Sequence, residues 1–340
     1  MRFTLKKINK YKYSLKTVLI TLLQMKSIKK NSSSHFLDYK NFCYNYYRDG
    51  FTKEGIKVNS LDIYYDDIKN KNLNYLSDTF NEKSIEKFDL FNSNGKISCL
   101  VAKNANSKKW VVGLHGWTEN KFLALRLVHH FWKQGYNILT FDAFAHGLSY
   151  GEKTDIGYSS ISMLETIVEH LKNEEQADSI GLIGNSMGAS TSILFVQKSK
   201  LRSKVNWVVA DCGFSNIKLQ YRYYIENNLY HVPWWKIGFL FTHKFSKETK
   251  TKQRKYNLLL NMKKAKSNPI FFIHSKGDTF IPYEMSQIMY EKKIKYEKVK
   301  ISKIWTPEGS EHVNTIKTYN DDYILKTINF ARKWEVNETK

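Results

Sequence analysis

The stretch SIGLIGNSMGAS, residues 179–190, decides the fold, because an apolar run in it breaks into a serine flanked by two glycines. Its apolar start predicts a short buried strand and its small-residue end predicts a helix, so Ser186 falls on the turn between them. So sharp a turn brings positions 184 and 188 together, and glycine at both removes the side chains that would collide. The turn then projects the Ser186 hydroxyl above the sheet, beside free N–H groups of the helix, and makes it a candidate nucleophile.

The same alternation of strand and helix extends outward on both sides of this turn. A predicted hairpin at 87–92 and 96–103 is followed by strands at 110–114, 136–141, 180–183, 205–210, 269–274 and 299–305. Between them the sequence predicts helices at 121–134, 160–173, 188–198, 282–293 and 319–335. A hairpin followed by strand–helix repeats predicts an α/β protein with a mostly parallel sheet and helices on both faces.

The alternation stops at residues 212–268, which predict a helical cap inserted between two strands and lying over their carboxyl ends. This insertion is rich in aromatic residues, which either form the core of the cap or line an apolar pocket for an acyl or aryl group. Both interpretations stay open for each of Tyr221, Tyr223, Tyr224, Tyr230, Trp234, Trp235, Phe239, Phe241 and Phe245.

Three segments are predicted along the chain. Residues 1–34 form a basic amphipathic arm and a linker, 35–84 form a helical extension, and 85–340 form the α/β domain with its cap. No stretch of the sequence reaches the ~18 apolar residues of a membrane-spanning helix. The apolar stripe of the arm predicts a helix that either packs on the protein or lies on an anionic membrane surface.

The charge of the chain is uneven. The formal net charge is +22; residues 1–30 carry nine Lys or Arg and no acid, and residues 236–266 carry ten and one acid. These segments suggest contact with anionic surfaces, although a solvated face is the commoner meaning of such runs. No recognisable motif predicts nucleic-acid binding. The three scattered cysteines predict neither disulfides nor a zinc site, and favour a reducing compartment, the cytoplasm.

A base and an acid are expected at the carboxyl ends of other strands. Of the ten histidines, His312 alone follows the last predicted strand, in a loop before the last helix. Asp278 and Asp211 each follow a strand, and either could orient the imidazole. Asp278 is favoured because Gly277 turns its loop and the apolar residues 280–282 anchor it, whereas Asp211 is expected to fix the start of the cap.

An oxyanion hole needs two backbone N–H groups. One is expected from Met187, directly after the candidate nucleophile, and the other from Trp117 in the loop after strand 110–114. His115 is expected to hold that loop. Asp142 and His146 look like a second dyad, but they are expected to brace the floor of the site.

These residues resemble the α/β-hydrolase superfamily, in particular its bacterial esterase/lipase-like group, which shades into serine aminopeptidases and acyltransferase-like hydrolases. The resemblance covers residues 85–335 and rests on His115-Gly-Trp117, Asp142–Ser149, Gly184-Asn-Ser-Met-Gly188, Gly277-Asp278 and Glu311-His312. It implies the α/β-hydrolase fold with Ser186 as nucleophile, Asp278 as acid, His312 as base, and Trp117 and Met187 as oxyanion donors. The chain departs from the family at Phe144-Ala145, where an arginine-like residue is usual, and residues 1–84 have no clear counterpart.

The expected function is hydrolysis of a small carboxylic ester with an apolar acyl or aryl group, through an acyl-serine intermediate and without a metal or cofactor. An aminopeptidase or acyltransferase on the same three residues is the first alternative. An aminopeptidase needs acidic side chains to hold the ammonium of its substrate, and the basic cap counts against it. The second alternative is a non-enzymatic binding protein with a hydrolase fold, against which the presence of Ser186, Asp278 and His312 counts.

Overall fold

The computed structural model describes residues 50–73, 80–228 and 234–335, except for the side chains at 225, 228, 236, 237, 240, 241 and 244. The predicted basic arm and linker at 1–34, with the membrane contact expected of it, lies outside the described residues. So do 35–49 and 74–79 of the predicted extension.

Eight strands form one sheet in the order β1-β2-β4-β3-β5-β6-β7-β8. The hairpin β1–β2 and the pair β2–β4 are antiparallel, and the remaining neighbours are parallel. The prediction of a mostly parallel sheet is therefore confirmed. The strands are β1 Glu86–Asn92, β2 Gly95–Ala102, β3 Lys109–Leu114, β4 Asn137–Phe141, β5 Ser179–Asn185, β6 Trp207–Asp211, β7 Ile270–Ile273 and β8 Lys303–Trp305.

Helices cover both faces of this sheet. In the described part of the chain they are α1 Leu61–Asn70, α2 Leu125–Lys133, α3 Ser160–Asn173, α4 Met187–Lys198, α5 Ile217–Asn228, α6 Trp234–Thr249, α7 Glu284–Ile294, α8 Thr315–Thr318 and α9 Asn320–Trp334. Helices α3, α4 and α7 share one buried apolar cluster with the sheet, and α1, α2 and α9 share the other. Alternate strand residues supply the two clusters, as expected for side chains that point to opposite faces.

Helices α5 and α6 lie in the insertion between β6 and β7. Tyr221, Trp234 and Phe245 are buried there and belong to the larger apolar cluster, whereas Trp235 and Phe239 are 72% and 76% exposed. The first three aromatics therefore pack into the apolar cluster that the insertion shares with the sheet, and the last two face outward. Tyr230 and the side chain of Phe241 lie outside the described residues.

Two predicted elements are shorter in the structure. The last strand begins at Lys303 and not at 299, because the Glu297 carboxylate accepts the backbone N–H groups of Ile301 and Ser302 at 3.0 and 3.3 Å. Those groups are thus unavailable to the sheet. Helix α2 begins at Leu125 and not at 121, because residues 121–124 form turns. None of the helices in the described ranges has the length and apolar character that a membrane-spanning helix needs.

A buried ion pair fixes the loops at the carboxyl end of the sheet. Asp142, directly after β4, accepts the Lys121 ammonium at 2.7 Å and the backbone N–H groups of Lys121 and Leu148 at 2.8 and 2.9 Å. Both side chains of the pair are at most 2% exposed. Asp142 therefore ties the loop after β3 to the loop after β4.

Replacing Lys121 with methionine should cost about 3–5 kcal/mol of the free energy of unfolding, because Asp142 would keep a buried charge without its cation. The matched control is Lys96→Met. Lys96 pairs with Asp89 at 3.3 Å on the surface, and exposed pairs contribute about 0–1 kcal/mol. Urea denaturation of both variants measures the difference, and equal losses would contradict a structural role for the buried pair.

Candidate active site

Ser186 lies on the turn between β5 and α4, with a backbone φ of +51°. A non-glycine residue in this region is strained, and such strain persists where the surrounding structure fixes it. Here the Ser186 N–H donates to the Asp211 carbonyl at 2.8 Å, and the Ser186 carbonyl accepts the Ser190 N–H at 3.1 Å. The turn is therefore held from β6 on one side and from the helix on the other.

The two flanking glycines permit close backbone contacts around this turn. A Cβ at Gly184 would lie 2.5 Å from the Gly188 carbonyl carbon, and a Cβ at Gly188 would lie 2.1 Å from the Leu114 oxygen. The close approach of positions 184 and 188 expected from the sequence is thus present, and position 188 also lies against the end of β3. Helix α4 can begin directly against the end of β3 only because position 188 lacks a side chain.

The structure brings Ser186, His312 and Asp278 into one hydrogen-bond chain. His312 Nε2 lies 3.0 Å from Ser186 Oγ, and His312 Nδ1 lies 2.6 Å from Asp278 Oδ2. With the Nδ1 proton facing the carboxylate, the neutral imidazole has Nε2 free to accept the serine proton. The three residues come from the turn after β5, the loop after β7 and the loop after β8.

Asp278 is fixed by four hydrogen bonds. Its Oδ1 accepts the backbone N–H groups of Phe280 and Ile281 at 2.9 Å, and its Oδ2 lies 3.1 Å from His274 Nε2 besides its contact with His312. Burial alone would raise the pKa of Asp278, but the hydrogen bonds from His274 and His312 outweigh it and hold that pKa well below its usual value. The carboxylate is therefore ionised throughout the neutral range.

His274 is a buried partner of the acid that the sequence analysis did not identify. Its Nε2 also lies 2.9 Å from the Ile281 carbonyl, and its Nδ1 lies 2.7 Å from Ser286 Oγ on α7. An Nε2 proton shared between the carboxylate and the carbonyl satisfies both contacts. The sequence signal for this contact was the four-residue spacing between His274 and Asp278 across a turning loop.

Asp211 is the other candidate acid. Among the hydrogen bonds of the described residues, His312 Nδ1 bonds to Asp278 and not to Asp211. Asp211 is buried, and burial raises its pKa to about 7, with only partial opposition from the charge of His274. A carboxyl group that holds its proton at neutral pH stabilises an imidazolium poorly. Its backbone carbonyl supports Ser186 instead.

The loop after β3 lies beside the first turn of α4. His115 Nδ1 donates to the Gly116 carbonyl at 2.7 Å and its Nε2 accepts the Ala143 N–H at 2.9 Å, so His115 ties this loop to the end of β4. Met187 is the first residue of α4, where backbone N–H groups have no intrahelical acceptor. Trp117 follows Gly116 directly and is half-buried. These are the two segments from which the oxyanion donors were expected.

Asp142 and His146 do not form a dyad. Asp142 is bonded to Lys121 and Leu148, and His146 Nδ1 donates to the Phe144 carbonyl at 2.9 Å. Burial lowers the pKa of His146 to about 3, with a further lowering by His115, so its imidazole is neutral. Both residues hold loops beneath the site, as the sequence analysis expected of them.

One trio of potential metal ligands occurs among the described residues: atoms of Cys212, Asp278 and His312 lie within 4.8 Å of one another. The carboxylate and the imidazole already bond to each other. Burial raises the pKa of the Cys212 thiol well above its usual value, whereas a metal ligand would have to be a thiolate. The donor set is therefore poorly suited to a metal.

Comparisons with known proteins give the same fold. The sequence model described as serine aminopeptidase, S33, matches residues 105–256, which include Ser186 and end before Asp278 and His312. An uncharacterized protein of Bacillus subtilis, YqkD, is 30% identical over 184 residues. That alignment spans 54% of this chain and 59% of the relative, so the chain aligns with less than two thirds of that protein.

Among solved structures, the esterase Pf2001 of Pyrococcus furiosus is 26% identical, with a TM-score of 0.59 over 74% of this chain and 92% of that one. An acylaminoacyl peptidase of Pyrococcus horikoshii is 18% identical, with a TM-score of 0.58 over 80% of this chain and 44% of that one. The second likeness concerns the fold alone. The predicted α/β-hydrolase fold is confirmed by the sheet and by these neighbours.

Replacing Asp211 with asparagine should change the pH dependence of stability. An unfolded aspartate ionises near pH 4, whereas the pKa of folded Asp211 is about 7, so between these values the folded protein holds the extra proton. Stability therefore falls as pH rises from about 4 to 7, and asparagine removes this loss. The melting temperature of Asp211→Asn, relative to wild type, should be higher at pH 8 than at pH 5.

The control is Asp321→Asn on the exposed first turn of α9, whose difference from wild type should not change between the two pH values. The melting temperature of Asp211→Asn minus that of wild type could instead be equal at the two pH values, or lower at pH 8. Either result would show that Asp211 is ionised in the folded protein.

Proposed function

We propose that this chain is a serine hydrolase of the α/β-hydrolase superfamily and that it cleaves carboxylic esters through an acyl-serine intermediate. The hydrogen-bond chain from Asp278 through His312 to Ser186 is the observation that carries this proposal. The likeness to an esterase over most of both chains supports the choice of an ester.

In the proposed mechanism, Ser186 Oγ attacks the ester carbonyl carbon as His312 Nε2 takes the hydroxyl proton. The carbonyl oxygen becomes an oxyanion, which the backbone N–H groups of Met187 and Trp117 would stabilise. As the intermediate collapses, His312 returns the proton to the departing alcohol and Ser186 keeps the acyl group. Water then repeats the sequence, with His312 as base, and releases the carboxylic acid.

The surroundings of the base favour an apolar acyl or aryl group. The ring centroid of Phe280 lies 5.0 Å from that of His312, and Tyr224 lies 6.0 Å from Phe280. These rings give the site an apolar wall on the side of the imidazole. Trp235 and Phe239 face outward and do not belong to that wall.

Hydrolysis of an amino-terminal peptide bond is the competing proposal, because of the family model that the chain matches. Holding a substrate ammonium requires a carboxylate that is not already neutralised. Near Ser186, Glu119 is paired with Arg126, Asp278 is bonded to two histidines, and Asp211 is protonated up to about pH 7. These three carboxylates are thus unavailable to a substrate ammonium, and on this ground the ester is favoured.

Ser186→Ala should lower kcat for p-nitrophenyl butyrate by ~10⁴- to 10⁶-fold, because it removes the nucleophile and leaves the turn in place. Its melting temperature should match that of wild type. The matched control is Ser192→Ala on α4, the helix that follows Ser186. The Ser192 hydroxyl donates to the Gly188 carbonyl at 2.9 Å, and kcat of this variant should stay within a few-fold of wild type.

Initial rates over p-nitrophenyl esters of two to twelve carbons and over amino-acid p-nitroanilides give the substrate class. Faster turnover of the anilides than of every ester would replace the ester proposal by the peptidase. More than a few per cent residual esterase activity in Ser186→Ala would exclude the mechanism.

Asp278→Asn should lower kcat by ~10³- to 10⁴-fold, because the amide oxygen would stay on the Phe280 and Ile281 N–H groups and the NH2 group would face His312 Nδ1. That arrangement favours the wrong tautomer, and a neutral amide does not stabilise the imidazolium. Asp211→Asn is the matched control and should retain kcat at pH 6.5, where a protonated carboxyl and an amide are both neutral. Steady-state kinetics of both variants measures the ranking, and the reverse ranking would assign the acid to the strand before the cap.

A further inference from the structure

Glu119 lies at the junction of the two segments that flank the candidate nucleophile. Its Oε2 accepts the Gly116 N–H at 2.6 Å and the Asn185 side-chain amide at 3.2 Å. Gly116 precedes Trp117 in the loop expected to donate to the oxyanion, and Asn185 precedes Ser186. One carboxylate oxygen therefore couples the oxyanion loop to the nucleophile turn.

The close approach of this carboxylate depends on the absence of a side chain at position 116. A Cβ on Gly116 would lie 3.0 Å from Glu119 Oε2 and 3.4 Å from Asn185 Nδ2. Burial would raise the pKa of Glu119, but the charge and hydrogen bonds of its partners, Arg126 first, lower it to about 2. Glu119 therefore acts as a charged acceptor, which makes hydrogen bonds stronger than those of a neutral one.

Arg126 connects Glu119 to a distant part of the chain. Its side chain is fully buried, and Nη2 pairs with Glu119 Oε1 while Nη1 donates to the Leu123 carbonyl at 3.0 Å. Nη1 also pairs with Asp67 Oδ2 at 3.3 Å. Asp67 lies on α1, in the segment that precedes the sheet and that the matching family model does not cover.

Helix α1 is docked firmly enough to give Asp67 a fixed position. Leu61, Tyr64 and Ile68 are buried in the same apolar cluster as α2. Just before the helix, the Val58 carbonyl accepts the Asn120 side chain at 2.7 Å.

We propose that α1 is a positioning element of the active site: Asp67 orients Arg126, Arg126 orients Glu119, and Glu119 holds the oxyanion loop against the nucleophile turn. The inference rests on the proposed serine hydrolase function and gives the segment before the sheet a part in it. None of the three charged residues touches the reacting atoms. Their effect should therefore fall on the step that uses the oxyanion hole, kcat, and not on substrate affinity.

The test compares full-length Asp67→Asn with Asp66→Asn, the adjacent residue of α1, whose carboxylate accepts only from Asn70 among the described hydrogen bonds. Both substitutions remove one negative charge from the same helix. With p-nitrophenyl butyrate, Asp67→Asn should lower kcat ~3- to 10-fold at unchanged KM, and Asp66→Asn should not. Glu119→Gln should lower kcat ~10- to 100-fold, below the loss expected for removing an oxyanion donor outright.

The double variant Asp67→Asn/Glu119→Gln separates this chain of contacts from two independent effects. If Asp67 acts through Glu119, the double variant loses no more kcat than Glu119→Gln alone. Multiplicative losses, a change confined to KM, or a kcat for Asp67→Asn equal to that of Asp66→Asn would overturn the role of α1. If Asp67→Asn does not fold, Asp67→Glu replaces it under the same criteria, because the longer side chain keeps the charge but displaces the carboxylate that pairs with Arg126 Nη1 at 3.3 Å.

Wild-type labelling by a fluorophosphonate distinguishes the two levels of failure. If the wild-type protein is labelled but Asp67→Asn keeps the kcat of wild type, only the proposed role of α1 is overturned. A wild-type protein that is neither labelled nor active on any ester overturns the proposed function and this role with it.

Discussion

The contact between Gly188 and the end of β3 is the constraint on which the whole site depends. Because α4 begins with its backbone against the Leu114 carbonyl, Ser186 is held at positive φ at the tip of β5. The same contact sets the first N–H groups of α4 beside the loop that contains Trp117. One packing contact thus positions both the candidate nucleophile and the groups expected to stabilise the oxyanion, and the buried sheet around it offsets the local backbone strain.

Buried charges then fix the loops that this contact brings together. Lys121 with Asp142, and Arg126 with Glu119, each join segments from different loops or elements. Such pairs add little net stability, because the loss of hydration offsets much of their attraction. They do fix the positions of the loops, because separating a buried charge from its partner costs free energy. Loops at the carboxyl end of the sheet are thereby held in one arrangement, as preorganised catalysis requires.

Much of the fold and part of the site followed from local sequence patterns. Apolar runs predicted the strands well, because the central strands are buried on both faces and carry few polar residues. Two elements were predicted too long, and both begin later than expected: β8 because Glu297 binds the preceding backbone N–H groups, and α2 because residues 121–124 form turns. Such competition depends on side-chain positions that periodicity does not report.

The contacts that the sequence did not reveal are long-range ones. The sequence favoured Asp278 over Asp211 as the acid, whereas no local pattern indicated that Glu119 bonds to the side chain of Asn185, 66 residues away, at 3.2 Å. Asp67 and Arg126 are separated by 59 residues, and no spacing rule links an acid on one helix to a buried arginine on another. Their pairing is a product of how α1 and α2 pack in a common apolar cluster.

The central claim, that Ser186 is a nucleophile activated by His312, is tested most directly by covalent labelling of the full-length protein with a fluorophosphonate. Intact-mass analysis followed by peptide mapping should find one phosphonyl group per chain, attached to Ser186, and esterase activity should fall in proportion to labelling. An adduct on another residue that accounts for the loss of activity, or full esterase activity after complete labelling of Ser186, would contradict the account.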